Sequence, residues 1–404
     1  MSPSSARRST CSQRRMSWIC AGGTSMLIES DLALPMIDHH CHGVSPAELD
    51  FAAFQALFSE SYRPAPAGTT EFQKPLGLAI RRWCAPVLDL EPSCPAEIYV
   101  ERRLALGAAE VNRRFLRASG LDELLIDTGH RSASIANVAQ MGEISTRPAR
   151  EVVRIEAVAE EVARSGVGAG DFGLTFADML SERSKGAVGL KTIVAYRTTF
   201  KIDQTAPAMA DVERAADRWL KRCADSGKVR LDDPTIIRHG LWIGAELCRS
   251  RRFPMQVHVG FGDPDVYMHA CDPSHFTDFI AAMEKWDVPI TLLHNYPFQR
   301  EAAWLSEIFR NVHYDVGVIL NYAAPMATDI LGEAMEMGKY SKLLYSSDAF
   351  GLSELYYLGA RQFRLALRRV LDRWLAEDAC SLQDAEEIIR MVAQENARRI
   401  YPLS

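Results

Sequence analysis

The sequence has no Cys-x-x-Cys pair, and its nine cysteines, at positions 11, 20, 41, 84, 94, 223, 248, 271 and 380, are odd in number and widely scattered. That excludes an encoded disulfide framework and a thiolate zinc site, and it points to a reducing, cytoplasmic compartment. Basic charge is not in surplus either: the net charge is −6, so a broad basic surface for phosphates is missing and nucleic acid is not an expected partner. No apolar run approaches the roughly 20 residues of a bilayer helix, and none is free of charge or proline, so no membrane partner is expected. Repeats and low-complexity tracts are lacking. Gly260-Phe261-Gly262-Asp263 lacks the GxGxxG-plus-helix setting of a dinucleotide site and reads as a turn. What remains, 48% apolar and 24% charged, is the composition of a globular protein with a large core.

Residues 1–33 are set apart from that core. They carry Arg7, Arg8, Arg14 and Arg15 and no acid before Glu29, which imitates a transit peptide, but Met26 opens a sensible start just ahead of the first apolar strand. The segment is read as a disordered or mis-called N-terminal tail, and 34–404 as one domain.

Within 34–404, short apolar runs rich in β-branched residues alternate with helical periodicity, the mark of βα units around a parallel sheet. Candidate strands are Pro35–His42, Glu123–Asp127, Glu151–Ile155, Ala187–Ala195, Met255–Val259, Pro289–His294, Val312–Val316 and Lys342–Ser346. Eight of them predict an α/β fold of the (β/α)8 TIM-barrel type. The surplus length lies between strands one and two, where about 46–120 reads as a helical insertion, including the segment Glu97–Arg117 with its arginine-rich face, placed to cover the barrel mouth as a lid. A second helical excursion runs from Met209 to Ser250, and Ala360–Trp374 with Leu382–Arg399 close the chain. The long outer helices suit a homo-oligomer.

The chemistry begins at Asp38-His39-His40-Cys41-His42. Residues two apart on a strand share a face, so His40 and His42 are placed to hold one metal ion, with His39 and Cys41 turned away. A His-x-His pair alone also suits an ordinary strand. Ligand types recur, however, at later strand ends: Lys191, His258, His294 and Asp348. Three imidazoles and a carboxylate at one end of a barrel would form a mononuclear site with a position left for water. Tyr196 and Arg197 beyond strand four, and Arg154 and Glu156 at strand three, are placed to reach such a pocket, where a guanidinium clamps a carboxylate. Glu156, Asp263, Asp265 and Glu354 are candidate partners for a substrate amine. His130, His239, His269, His275 and His313 lack ligand spacing and read as surface or interior histidines.

This pattern resembles the metal-dependent amidohydrolase superfamily: His-x-His after strand one, Lys or Glu after four, His after five and six, Asp after eight. Within it the chain is most similar to the nodulin-like amidohydrolase domain found joined to a glutamine-synthetase-like domain. The segments IDHHCHG, GLKTIVAYRTTF, HVGFGDPD, LLHNYPFQREAAWLSEIFRNVHYDVG and YSSDAFGLSELYYLGARQF carry the likeness, over about 34–403. The resemblance implies a hydrolase acting on C–N bonds, cleaving an amide of a small carboxylated molecule such as a γ-glutamyl amide. It implies one or two divalent ions, zinc first and manganese or iron otherwise, on His40, His42, His258 and Asp348. Lys191 either bridges two ions as a carbamate or stays an ammonium. Asp348 is then the general base, and His294 polarises the carbonyl or ligates a second ion. Nonhydrolytic decarboxylation or sugar-acid isomerisation on the same barrel is the alternative.

Overall fold

A computed structural model describes residues 35–403. The expectation for the tail, 1–33, lies outside the described residues. Seven parallel strands form one sheet in sequential order: β1 Met36–Cys41, β2 Leu121–Asp127, β3 Ala149–Arg154, β4 Gly189–Thr192, β5 Met255–Val259, β6 Ile290–His294 and β7 Val312–Tyr314. Each strand is followed by helix. The strands are buried almost throughout, as a parallel sheet covered by helices requires, and this is why their sequences read as near-continuous apolar runs.

The expected eighth strand, Lys342–Ser346, is not a ladder strand. Lys342 ends a short 3-10 turn with its ammonium donating to Ser306 O and Phe309 O. Beyond it, the Ser347 N–H is taken by the side chain of Asp38 rather than by a neighbouring backbone. The stretch still touches both sheet edges: Leu344 N donates to Tyr314 O of β7, and Tyr345 O and Ala349 O accept from His39 and His42 of the β1 side. Asp348 N in turn donates to His40 O, which sets Asp348 beside the end of β1.

The helical segment expected over Glu97–Arg117 consists of two helices, Ala96–Leu106 and Ala108–Ala118, broken at Gly107, whose φ of 82° lies where a side chain is strained. One further expectation is corrected. The strand predicted over Ala187–Ala195 stops at Thr192, and Val194–Arg197 is a helical turn. The excursion from Met209 divides into Met209–Ser226 and Pro234–Arg251. The first buries Val212, Ala215, Ala216, Trp219 and Cys223 on one stripe. The second starts at Asp233, whose carboxylate accepts from Thr235 N and Ile236 N ahead of a proline at the first helical position.

Simple alternation fails inside β1. Its register against β2 slips between Asp38 and Cys41. His39, expected to face the helical layer, instead meets Asp315 at 2.8 Å and the Tyr401 hydroxyl at 2.9 Å. That same hydroxyl accepts from Gln256, the residue that holds His40.

Candidate metal centre

The carboxylate of Asp348 is the point of convergence. Its Oδ1 lies 3.1 Å from His40 Nε2 and 3.4 Å from His42 Nε2, and its Oδ2 lies 3.5 Å from His294 Nε2. Asp348 and His294 both sit in left-handed backbone, at φ 47° and 72°, an arrangement that costs energy for residues with a side chain and persists only when the surroundings impose it. Around His294 the restraint is visible: its N–H donates to Asp315 Oδ1, and Asn295 donates to Leu292 O and Asp315 O. At β5 the chain leaves through Gly260, φ 72°, where a Cβ would stand 2.2 Å from Tyr296 O, so the loops after β5 and β6 can lie against each other.

Hydrogen bonding fixes what these imidazoles present to each other. His42 Nδ1 meets the Asp127 carbonyl at 3.1 Å, which can only accept, so Nδ1 carries a proton and Nε2 is the nitrogen turned to Asp348. His40 Nδ1 meets Gln256 Oε1 at 2.8 Å with the same consequence. Two imidazole Nε2 atoms therefore face a carboxylate oxygen, and His294 Nδ1 and Nε2 and His258 Nε2 are buried with no hydrogen-bond partner. Converging acceptors repel one another unless a cation stands among them, so this donor set fits a divalent ion.

Burial pushes the His40 imidazole down to about 3, helped by the Lys191 charge, and burial against the opposing pull of Asp348 takes His294 to about 4. Burial and the neighbouring His294 put His258 well below its ordinary value. All three are neutral, the form a metal needs. Burial raises the Asp348 carboxyl, but the surrounding His294, His40 and His42 outweigh it and hold the group well below the usual carboxylate range.

Two compact groups have ligand geometry, His40 with His294 and Asp348, and His40 with His42 and Asp127. His258 enters neither, although its ring centre lies 4.8 Å from that of His294. Asp127, at the end of β2, was not singled out from sequence; a carboxylate closing a strand was the signal. Lys191 Nζ is 2.9 Å from His40 Nε2 and 3.9 Å from Asp127 Oδ2, and burial lowers its pKa to about 8.

A cavity of about 670 Å³ opens over these groups. Arg154, Tyr196 and Arg197 line it, as do Asp263 and Asp265. The Tyr196 ring centre is 4.3 Å from that of His258. Arg197 pairs with Glu160 at 3.1 Å through one terminal nitrogen, while its Nε and other terminal nitrogen are buried without partners. Glu156 and Glu354 are corrected: neither lines the cavity. Glu156 is buried and accepts from the Thr192 hydroxyl and Ile193 N. Glu354 is fully buried in an ion pair with Arg103 at 2.9 Å and accepts from the Tyr99 hydroxyl. Sequence reasoning missed Glu60, Tyr322 and His130 in the lining. His130, set aside for want of ligand spacing, has its ring 4.7 Å from Phe350 and 5.6 Å from His42. No helix among the described residues is long and apolar enough to cross a membrane.

Comparison with known proteins places this geometry. Protein fluG of Emericella nidulans is 27% identical over 282 residues, covering 63% of this chain and 32% of that protein, so the chain spans about a third of the curated relative it matches. A solved structure of a candidate metal-dependent hydrolase from Lactobacillus casei superposes with a TM-score of 0.81 at 24% identity, over 92% of this chain and 96% of that one. A uronate isomerase from Thermotoga maritima superposes at 0.60 with 11% identity, covering 92% and 96%. A glucuronate isomerase from Caulobacter crescentus superposes at 0.60 with 16% identity, covering 92% of each. At these identities the likeness establishes the fold. The family model for amidohydrolases matches residues 145–403, well over half of the sequence, and the chain belongs to the amidohydrolase family.

Proposed function

We propose that the chain hydrolyses the C–N bond of an amide on a small carboxylated molecule, of the γ-glutamyl amide class, with a zinc ion held by His40, His42, His258 and Asp348. The observation that carries this reading is the meeting of the His40, His42 and His294 imidazoles with one ionised carboxylate beside a pocket lined by Arg197, two of whose guanidinium nitrogens are buried without partners. A divalent ion at such a set lowers the pKa of a water toward neutrality and withdraws charge from a carbonyl.

The protein's own groups do the rest. Asp348 is ionised and central, so it accepts the proton that the attacking water loses and returns it to the departing nitrogen, leaving a carboxylic acid and a free amine. His294, neutral and with both ring nitrogens uncommitted, is placed to stabilise the oxygen that gains charge, or to serve a second ion. Arg197 clamps a substrate carboxylate through its free nitrogens. Asp263 and Asp265, with Glu60 beside them, take the amine end of a zwitterionic substrate. Tyr196 packs the substrate against His258. Lys191, an ammonium next to His40, orients anionic groups in a mononuclear site. The loop that follows the helix Phe51–Ala56 contributes Glu60 and Tyr62 to the rim, and the helical segments within 46–120 are read as a lid over this pocket.

The test is product analysis of zinc-loaded protein against γ-glutamyl amides. Release of ammonia or an amine is expected. Carbon dioxide release would replace hydrolysis with decarboxylation, and aldose-to-ketose conversion of a sugar acid would replace it with isomerisation, the activity named for the structural neighbours from Thermotoga maritima and Caulobacter crescentus.

A further inference from the structure

A single buried hydrogen-bond chain leads from the C-terminal segment to the candidate ligands. Gln256 Nε2 lies 2.6 Å from the His39 carbonyl and 2.9 Å from the Tyr401 hydroxyl. A backbone carbonyl can only accept, so the nitrogen end of the Gln256 amide must point there, and both of its hydrogens are used. The oxygen end then faces His40 Nδ1 at 2.8 Å, where it too can only accept. His40 is thereby obliged to carry its proton on Nδ1 and to present the Nε2 lone pair toward Asp348. The Lys191 ammonium, 2.9 Å from Nε2 and able only to donate, requires the same tautomer independently. On the other side, the Tyr401 hydroxyl meets His39 Nδ1, and His39 Nε2 meets Asp315 Oδ2 at 2.8 Å. Asp315 holds the backbone N–H of His294 with its other oxygen. Gln256, His39, His40, Asp315 and Tyr401 are all buried.

We propose that Gln256 and Tyr401 are positioning residues for the metal ion, locking His40 in the Nδ1–H tautomer so that the last turn of the chain sets metal affinity. Neither touches the cavity, and neither takes part in the reaction. Tyr401 is anchored for this task because its ring packs in a small cluster with Ile37, Leu125, Val152, Val188 and Leu344, separate from the main core. The neighbours that orient a ligating imidazole contribute about 10–100-fold to metal affinity. The proposal rests on His40 being a ligand.

Zinc affinity of the full chain, measured by competition with a chromophoric chelator, tests it. Gln256→Leu removes the acceptor and is expected to weaken zinc binding about 10–100-fold. Tyr401→Phe, which removes only the hydroxyl, is expected to weaken it less. Gln256→Glu keeps an acceptor for His40 and is expected to retain most of the affinity, a rescue that a merely structural role would not produce. Nitrogen-15 spectra of histidine-labelled metal-free wild type are expected to show His40 protonated at Nδ1; protonation at Nε2 overturns the proposal whether or not any variant folds. His40→Ala separates the two levels. If it lowers zinc affinity while Gln256→Leu does not, the positioning role is refuted and the ligand role stands. If His40→Ala leaves zinc affinity unchanged, the ligand reading is refuted and the proposal falls with it.

Discussion

Arg154 closes on Asp127 across the ends of β2 and β3, with its Nε at 3.0 Å and a terminal nitrogen at 2.5 Å from the same carboxylate oxygen. The other oxygen accepts from Gly129 N. Asp127 is thus committed to a guanidinium, and the attraction of Arg154, His42 and Lys191 outweighs a burial that alone would raise its pKa, leaving it far below the usual range. Although Asp127 completes a ligand-like group with His40 and His42, its lone pairs are largely spoken for, which favours one ion. Elemental analysis of purified protein is expected to give one divalent ion per chain. Asp127→Asn is expected to cost about 3–5 kcal/mol in stability by leaving Arg154 buried and unpaired, without lowering that stoichiometry. Two ions in the wild type, one in the variant, would make Asp127 a ligand.

Asp348→Asn keeps the shape of the side chain and removes its capacity to accept a proton. Turnover is expected to fall about 10²–10⁴-fold, with zinc affinity weakened as well. Single-turnover kinetics at saturating zinc separates the two effects. Unchanged turnover would remove Asp348 from the base role.

Arg197 offers two buried nitrogens without partners beside the cavity. Arg197→Met is expected to raise KM for a carboxylated amide about 10–100-fold with kcat little changed, the mark of a group that binds ground and transition states alike. Esterifying the substrate carboxylate should cost the wild type a similar factor and the variant almost nothing. Equal sensitivity in both proteins would show that the carboxylate binds elsewhere.

Glu354 was expected at the pocket and is instead half of a buried pair with Arg103, which reaches it through Nε while both terminal nitrogens are buried without hydrogen-bond partners. Removing one member of such a pair strands the other charge. Glu354→Gln is therefore expected to destabilise the protein by about 3–5 kcal/mol, read by chemical denaturation, while KM of the folded fraction is unchanged. A variant of native stability with a raised KM would reverse the assignment.

The contrast between Glu354 and Asp348 shows what was legible in the sequence. Strand ends are recognisable from the apolar run that stops there, so His40, His42, His258, His294 and Asp348 could be placed at one end of a sheet from sequence. Arg154, Tyr196 and Arg197 followed because they stand at or just past such an end. Glu354 lies on the helix Ser353–Ala376, and which face of it meets Arg103 depends on how Ala96–Leu106 packs, a tertiary fact with no local signal. His39 was misplaced for a different reason: strict alternation is a property of regular ladders, and β1 slips register at that point. The eighth segment keeps an isolated parallel bridge between Leu343 and Tyr314 and one bond from His39 N to Tyr345 O, and apolar content does not distinguish such isolated bridging from a ladder strand. Asp127 and Gln256 carry types and positions that suit metal-site support, but nothing in one sequence separates them from ordinary strand residues.

His313 on β7 is buried, and its pKa is pushed down to about 3, first by burial and then by the Lys342 charge. Burial likewise takes His130 to about 3 and His294 to about 4. For each, the folded value lies below the unfolded value near 6.5, so between these limits the unfolded chain binds a proton that the native protein refuses. Their contribution to stability is complete above about 6.5 and declines as pH falls toward the folded values, at up to about 1.4 kcal/mol per pH unit per histidine. The metal-free protein is therefore expected to lose stability steeply between pH 6.5 and 4. His313 stands apart from the cavity, which makes it the cleanest probe. His313→Leu is expected to reduce the slope of unfolding free energy against pH in that window by about one proton, measured by urea denaturation at a series of pH values. An unchanged slope would mean that His313 is already protonated in the fold.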